Sequence, residues 1–239
     1  MIPRIIHYCW FGKGPLPELA IRCIDSWHRF MPDYEFKLWN EDNSVIDSNQ
    51  YAKEAYETRK FAFVSDYIRL WALEHEGGIY LDTDVEVFKS FDDLLNNKAF
   101  AGFEGSKYKP LGTCIMASEA HGEWVSEMLD AYTGRRFIKP DGSYDMTTNV
   151  LFISRIMQKG GFVQNGKEQS YKDLHIFPVD FFSPRRTTGE YIRTEKTYCD
   201  HHGLGSWEEH DSDWKVQLLS VIPPRWRSTV IKIKRIVIG

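Results

Sequence analysis

The stretch Gly77-Gly78-Ile79-Tyr80-Leu81-Asp82-Thr83-Asp84-Val85-Glu86-Val87 decides how the rest of this 239-residue chain is read. Two glycines close a helical pattern, a short apolar run then reads as a buried strand, and two carboxylates one residue apart stand where that strand runs out. Alternation along a strand points Asp82 and Asp84 to the same face. Two aligned hard-oxygen donors at a strand end suit a divalent cation that keeps open positions for phosphate oxygens. Alone, an Asp-x-Asp triplet in a chain with 34 acidic residues reads as a solvated turn. Its flank changes that reading. From Phe61 to Glu76, Phe63, Tyr67, Leu70, Trp71 and Ala72 recur at helical spacing, the pattern of a helix buried along one face. Asp66 and Arg69, three residues apart, share a face of that helix. An exposed pair of this kind is worth only about 0.3–0.5 kcal/mol.

The chain is long enough, at 42% hydrophobic and 15% aromatic content, for one large domain with a sizeable core. No apolar run approaches the ~20 residues needed to span a bilayer. Met1-Ile-Pro-Arg leads into a strand rather than a signal peptide, so the expected location is cytoplasmic. Cys9, Cys23, Cys114 and Cys199 are scattered without a Cys-x-x-Cys pair and read as reduced core thiols. The net charge of −4 conceals an asymmetry. Residues 214–239 hold six basic and no acidic side chains, leaving 24 basic and 34 acidic side chains, or −10, on the rest. An acidic body argues against nucleic acid as a partner.

In chain order, Arg4–Gly12 reads as a first apolar strand running into a glycine loop, the opening of an α/β nucleotide-binding unit. His7, alone in that strand, reads as satisfying a neighbouring backbone group. A helix from Pro15–Glu18 to about Phe30 is stopped by Pro32, and Tyr34–Trp39 alternates as a second strand, giving a parallel crossover. Residues 44–59 suggest a short helix. Val85–Phe88 continues extended, and Ser90–Leu95 forms a capped helical turn. Strands follow at Ala99–Glu104 and Thr113–Ser118, and helices at Glu123–Tyr132 and Thr148–Gln158. Residues 174–184 read as an apolar strand ended by proline. The expected fold class is therefore α/β, a Rossmann-like mixed sheet flanked by helices.

Taken together, Ser65-Asp66-x-x-Arg69 followed by Gly77-Gly78-Ile79-Tyr80-Leu81-Asp82-x-Asp84 resembles the sugar-nucleotide site of glycosyltransferase family 32. That group holds initiating α-mannosyltransferases, α-1,4-galactosyltransferases and bacterial capsule or lipopolysaccharide glycosyltransferases. The resemblance implies a GT-A type nucleotide-diphospho-sugar transferase fold over residues 1–222. It also implies a metal-dependent, retaining transfer of a hexosyl unit from a nucleotide sugar, UDP-sugar favoured, to a glycan acceptor in cell-surface polysaccharide synthesis. Asp84 would coordinate Mn²⁺ or Mg²⁺ directly and Asp82 through water or the donor hydroxyls, while Asp66 and Arg69 would grip the donor sugar. Trp10 matches the aromatic that stacks on the base, and Tyr80 and Ser65 lie in the same site, Tyr80 as either core or donor contact. Thr197–Trp207 resembles the family's carboxy-terminal histidine and Ser-Trp signature, which makes His201, ahead of His202, a further metal ligand. Ser206 and Trp207 would reach the diphosphate. Relatives place donor and acceptor contacts near a Gly-Pro motif between the last two helices. This chain has Met146-Thr147-Thr148-Asn149 there instead, so Asp145 and Asn149 are either site residues or loop anchors.

Other readings of the same residues are a sugar-nucleotide hydrolase, a metal-dependent lectin and a scaffold with a degenerate site. Residues 223–239 form a separate basic tail. Trp226, Val230, Ile233 and Val237 fall on one face of a helix there, which is expected to make peripheral contact with the inner face of an anionic membrane carrying a lipid-linked acceptor. An edge strand is the competing reading of the tail.

Overall fold

In the computed structural model, residues 1–105, 110–184, 191 and 193–203 are described. The first strand, β1 (Ile5–Cys9), runs into α1 (Glu18–Phe30). The helix buries Ala20, Cys23, Ser26 and Trp27, the stripe that its three- and four-residue spacings require. β2 (Glu35–Trp39) returns parallel to β1, completing the expected crossover. A 3-10 turn at Ile46–Ser48 then leads into α2 (Gln50–Glu57). Asn49 caps that helix, its side chain accepting the Ala52 N–H at 3.2 Å.

The helix α3 (Phe61–Glu76) buries nine of its residues, Asp66 and Arg69 included. Gly77 and Gly78, with φ of 65° and 107°, turn it into β3 (Gly78–Leu81). Both glycines are also places of close backbone approach. A Cβ on Gly77 would lie 2.7 Å from the Ala120 nitrogen, and one on Gly78 2.7 Å from the Ile5 carbonyl oxygen.

Beyond β3, the chain makes a turn in which the Val85 N–H donates to the Asp82 carbonyl at 3.0 Å. The alternation expected for Asp82 and Asp84 does not hold, since the strand ends at Leu81 and the two carboxylates converge through that turn. β4 (Val85–Val87) follows, held by α1: Trp27 Nε1 donates to the Val85 carbonyl at 2.7 Å, and Ser26 Oγ accepts the Val87 N–H at 2.9 Å.

The remaining elements are β5 (Ala99–Phe103), β6 (Leu111–Ser118), α4 (Glu123–Asp130), α5 (Asn149–Lys159), β7 (Gln169–Tyr171), β8 (Leu174–Phe177), α6 (Val179–Phe182) and β9 (Cys199–His201). The strand expected over 174–184 stops at Phe177. Pro178 has no N–H for a ladder and instead starts the single turn of α6. β7 and β9, three residues each, were too short to show in the sequence pattern.

Among the described residues, the strands form a seven-stranded sheet ordered β2-β1-β3-β6-β5-β8-β7 and a two-stranded ladder, β4-β9. β1, β2, β3, β5 and β8 run one way, while β6 and β7 run the other. One face of the large sheet packs on α2 to α5 through Val64, Ile68, Trp124 and Ile153; the other packs on α1, α6 and the small ladder through Trp27, Phe91, Phe100 and Phe182. Hence the carboxyl ends of five parallel strands share one edge. Ligands of open α/β sheets bind at that edge, and Trp10, Glu41, Asp82 and Glu104 all follow strands there. All four cysteines are free and buried, as read from their spacing. Ser206, Trp207 and the 223–239 tail lie outside the described residues.

Candidate active site

Arg69 is the hub of the site. Its Nη2 lies 3.1 Å from Asp82 Oδ1 and 3.3 Å from Asp66 Oδ1. Nη1 donates to the Thr113 carbonyl at 2.7 Å, and Nε to the Ser65 carbonyl at 3.1 Å. The guanidinium covers the Tyr80 ring at 4.4 Å. One side chain thus ties α3, the end of β3 and the start of β6 together. The pair with Asp66 is buried, so its strength is not that of an exposed helix pair. Tyr80, fully buried, is core along its ring and polar at its tip, where the hydroxyl donates to Asp82 Oδ1 at 2.9 Å. Arg69 and Tyr80 together fix the orientation of Asp82. Burial pushes the Asp66 carboxyl up, to about 6, against the opposing pull of Arg69. Ser65 turns its hydroxyl back to the Phe61 carbonyl at 3.2 Å.

The second half of the site is delivered by the small ladder. β9 pairs antiparallel with β4 in a register that sets Val85 opposite His201. His201 Nε2 consequently lies 3.3 Å from Asp84 Oδ1. Asp82, Asp84 and His201 each offer one ligand atom, and these atoms lie within 4.8 Å of one another. His202, the residue after β9, stands outside this group: its Nε2 sits 3.0 Å from Glu86 Oε2. Burial disfavours a charged imidazole, yet Cys114 and Asp84 outweigh it and hold His201 well above the usual histidine range.

Two carboxylates and an imidazole, gathered with one carboxylate buried, fit a hard divalent cation that prefers oxygen and tolerates one nitrogen. Mn²⁺ or Mg²⁺ is therefore chemically compatible with these residues.

At the neighbouring strand end, Trp10 is half-buried and donates from its indole to the Gly14 carbonyl at 2.7 Å. Gly12, at φ 92°, approaches Phe61 so closely that a Cβ would come within 2.5 Å of the ring. Its N–H donates to Glu41 Oε1 at 2.6 Å. His7 is structural, as the sequence suggested. Its Nε2 bonds the Gly77 carbonyl at 2.8 Å, while Nδ1 accepts from the Trp39 indole at 3.1 Å. Burial accordingly pushes that imidazole down.

Asp145 is engaged by Arg135 at 2.8 Å, and Asn149 is buried. Asn149 donates to the Asp66 carbonyl at 3.4 Å and accepts from the Tyr132 hydroxyl at 3.2 Å.

One carboxylate escaped the sequence reading. Glu104, next after β5, is partly buried and near enough to Asp82 and His201 to feel both charges, and burial pushes its carboxyl up. Its position directly after a strand of the shared edge was the available signal.

Residues 17–101 match the family described as a glycosyltransferase sugar-binding region containing a DXD motif. Over those residues the chain is similar to this glycosyltransferase family. Inositol phosphoceramide mannosyltransferase 1 of Schizosaccharomyces pombe is 30% identical over 110 residues, covering 41% of this chain and 33% of that protein. Glucan organizing enzyme 1 of Cryptococcus neoformans var. grubii is 37% identical over 163 residues, covering 55% of this chain and 44% of that protein. The chain thus spans less than half the length of either relative. The solved structure titled PaToxG Glycosyltransferase superimposes with a TM-score of 0.50 at 17% identity, covering 66% of this chain and 69% of that one. That likeness concerns the fold, which is of the GT-A type.

Proposed function

We propose that this chain transfers a hexosyl unit from a nucleoside diphosphate sugar, a UDP-sugar foremost, to a glycan acceptor, with Mn²⁺ or Mg²⁺ held by Asp82, Asp84 and His201. The observation that carries this reading is the convergence of those three donors beside the buried Asp66–Arg69 pair at the sheet's carboxyl edge. A bound divalent ion would supply positive charge to the departing diphosphate without proton movement. Arg69 and Tyr80 hold Asp82 in register. Asp66 grips the donor sugar, and Trp10 stacks on the base at the end of β1.

No carboxylate is singled out as a covalent nucleophile. Transfer with retention then proceeds on one face of the sugar: the acceptor oxygen bonds the anomeric carbon as the bond to the diphosphate breaks, and the diphosphate takes the acceptor proton. The name of the Schizosaccharomyces relative, a mannosyltransferase acting on inositol phosphoceramide, supports a second donor and acceptor for the same site: a mannosyl donor and a lipid-carried acceptor.

The test is a screen of UDP-galactose, UDP-glucose, UDP-N-acetylhexosamines and GDP-mannose with Mn²⁺, with and without glycan acceptors. Release of nucleoside diphosphate that rises with acceptor supports transfer. Release indifferent to acceptor indicates a hydrolase. Stabilisation by free sugar and Ca²⁺, with none from nucleotide and Mn²⁺, indicates a lectin.

A further inference from the structure

The loop between β1 and α1, which carries Trp10, folds back on itself at the carboxyl edge of the sheet. The Trp10 N–H extends the β1–β2 ladder by donating to the Trp39 carbonyl at 3.0 Å. Its indole N–H then closes the loop on the Gly14 carbonyl at 2.7 Å. Between them the backbone reverses through two consecutive left-handed residues, Gly12 at φ 92° and Lys13 at φ 58°. Lys13 carries a Cβ, so that conformation is costly and persists only where its surroundings fix it. Lys13, Gly14 and Pro15 are exposed, so packing alone does not fix them.

Glu41 supplies the constraint. Its Oε1 accepts the Gly12 N–H at 2.6 Å, a bond strengthened by the carboxylate charge. The same oxygen accepts from the Tyr56 hydroxyl of α2 at 3.3 Å. Tyr56 packs, at 5.7 Å between centroids, on Phe61, the ring that Gly12 approaches. Glu41 is itself held in the turn after β2. There Asn40 Oδ1 accepts the Asp42 N–H at 2.9 Å, Asn43 Oδ1 accepts the Asn40 N–H at 3.0 Å, and the Asn43 amide donates to the Leu38 carbonyl at 2.8 Å. A fixed turn at the end of one strand therefore sets the loop at the end of its neighbour. Glu41 and Tyr56 also line an open cavity of about 570 Å³ beside Val45 and Lys53. Water there can take the Gly12 N–H when the carboxylate is removed, so losing Glu41 frees the loop without leaving a buried donor unpaired.

We propose that Glu41 is a positioning residue for Trp10: through the Gly12 N–H it fixes the loop whose Gly14 carbonyl holds the indole, and so presents the Trp10 face to the base of the nucleotide. Its contribution is preorganisation, because an indole already fixed in plane binds without the entropy cost of ordering it. The effect on nucleotide affinity rests on the reading of Trp10 as the base contact; the effect on the indole does not.

The experiment compares the wild-type chain with E41A, E41Q, W10A and the double variant E41A/W10A. The indole ¹H–¹⁵N resonance of Trp10, assigned by its absence from W10A, reports the loop. Calorimetry with UDP and with GDP, each in the presence of Mn²⁺, reports the base site. E41A is expected to move the Trp10 resonance, to speed hydrogen exchange at the Gly12 amide and to weaken nucleotide binding about tenfold. In turnover the loss falls on KM for the sugar nucleotide, with kcat at saturating donor changed by less than about twofold. E41Q keeps an acceptor oxygen and is expected to restore the resonance and to bring affinity within about threefold of wild type. In the W10A background, E41A has no further effect on affinity. A Trp10 resonance unmoved in E41A overturns the proposal, as does an E41Q as impaired as E41A, or a loss that multiplies with W10A. Affinity unchanged in both E41A and W10A, or absent from the wild-type chain, overturns the base-stacking reading of Trp10 instead, and the resonance still decides the role of Glu41.

Discussion

At the scale of single residues, the site depends on a few side chains whose replacement separates chemistry from folding. Asp84→Asn keeps shape and one acceptor oxygen beside His201 but removes a charge from the three-donor group. Transfer and metal-dependent nucleotide binding should be lost while the fold, followed by circular dichroism, is retained. Near-wild-type turnover by Asp84→Asn, measured with Mn²⁺ present, would falsify the metal assignment. Trp10 allows a different separation. If its exposed part stacks on the base, Trp10→Ala weakens nucleotide binding by about 1–3 kcal/mol, roughly 5- to 150-fold in Kd. Calorimetry showing unchanged affinity together with a lower melting temperature would instead make Trp10 a packing residue of the β1–α1 loop.

At the scale of elements, the segment that carries Arg135 is fastened to α2 by one carboxylate. Glu54, 3% exposed, accepts the Phe137 and Ile138 N–H groups at 2.9 Å each, Arg136 Nε at 2.6 Å and Gln50 Nε2 at 3.0 Å. Burial pushes this carboxyl up, but the bonds from Arg136, Ile138 and Gln50 outweigh it and hold it at about 2. A carboxyl depressed in the folded state stabilises fully above its unfolded value and loses that contribution as pH falls toward the folded one. Glu54 should therefore contribute about 3 kcal/mol at pH 7, lost between roughly pH 5 and pH 2. Glu54→Gln, with one acceptor oxygen, should cost about 2–3 kcal/mol in urea unfolding at pH 7 and show a flatter acid limb. Parallel acid limbs for the two proteins would assign the acid sensitivity elsewhere.

Across the whole molecule, charge is unevenly distributed along the chain. Among the described residues, no helix is long and apolar enough to cross a membrane. The sequence nonetheless sets six basic side chains in 214–239 against a remainder of −10. We propose that this segment makes peripheral contact with an anionic leaflet, at about 1 kcal/mol per Lys or Arg near the surface. Neutralising Lys232, Lys234 and Arg235 to Gln should then lower co-sedimentation with phosphatidylserine vesicles by roughly 100-fold in partition coefficient at low salt. High salt should erase the difference between the two proteins. Equal recovery of both in the supernatant at low salt would remove the membrane contact.

The sequence alone determined α3, the paired glycines, β3 and the place of the Asp-x-Asp pair at its end. These lie within two dozen consecutive residues, where helical spacing, φ > 0 at glycine and burial of a short apolar run act locally. It also determined the β1-α1-β2 crossover and the structural role of His7. Even within that stretch, the reason for the convergence of Asp82 and Asp84 was tertiary. The strand stops at Leu81, and α1 clamps the next strand through Ser26 and Trp27, so a turn and not a pleat brings them together. The remaining partners come from far along the chain. His201 reaches Asp84 because a three-residue strand pairs with β4, Arg69 reaches the Thr113 carbonyl because β6 runs antiparallel beside β3, and Asn149, at the start of α5, reaches the Asp66 carbonyl of α3. Such pairings are chosen by packing across the whole sheet. A three-residue strand or a single buried carboxylate is too short to leave a periodic signal in sequence, and only the closed fold places it beside its partner.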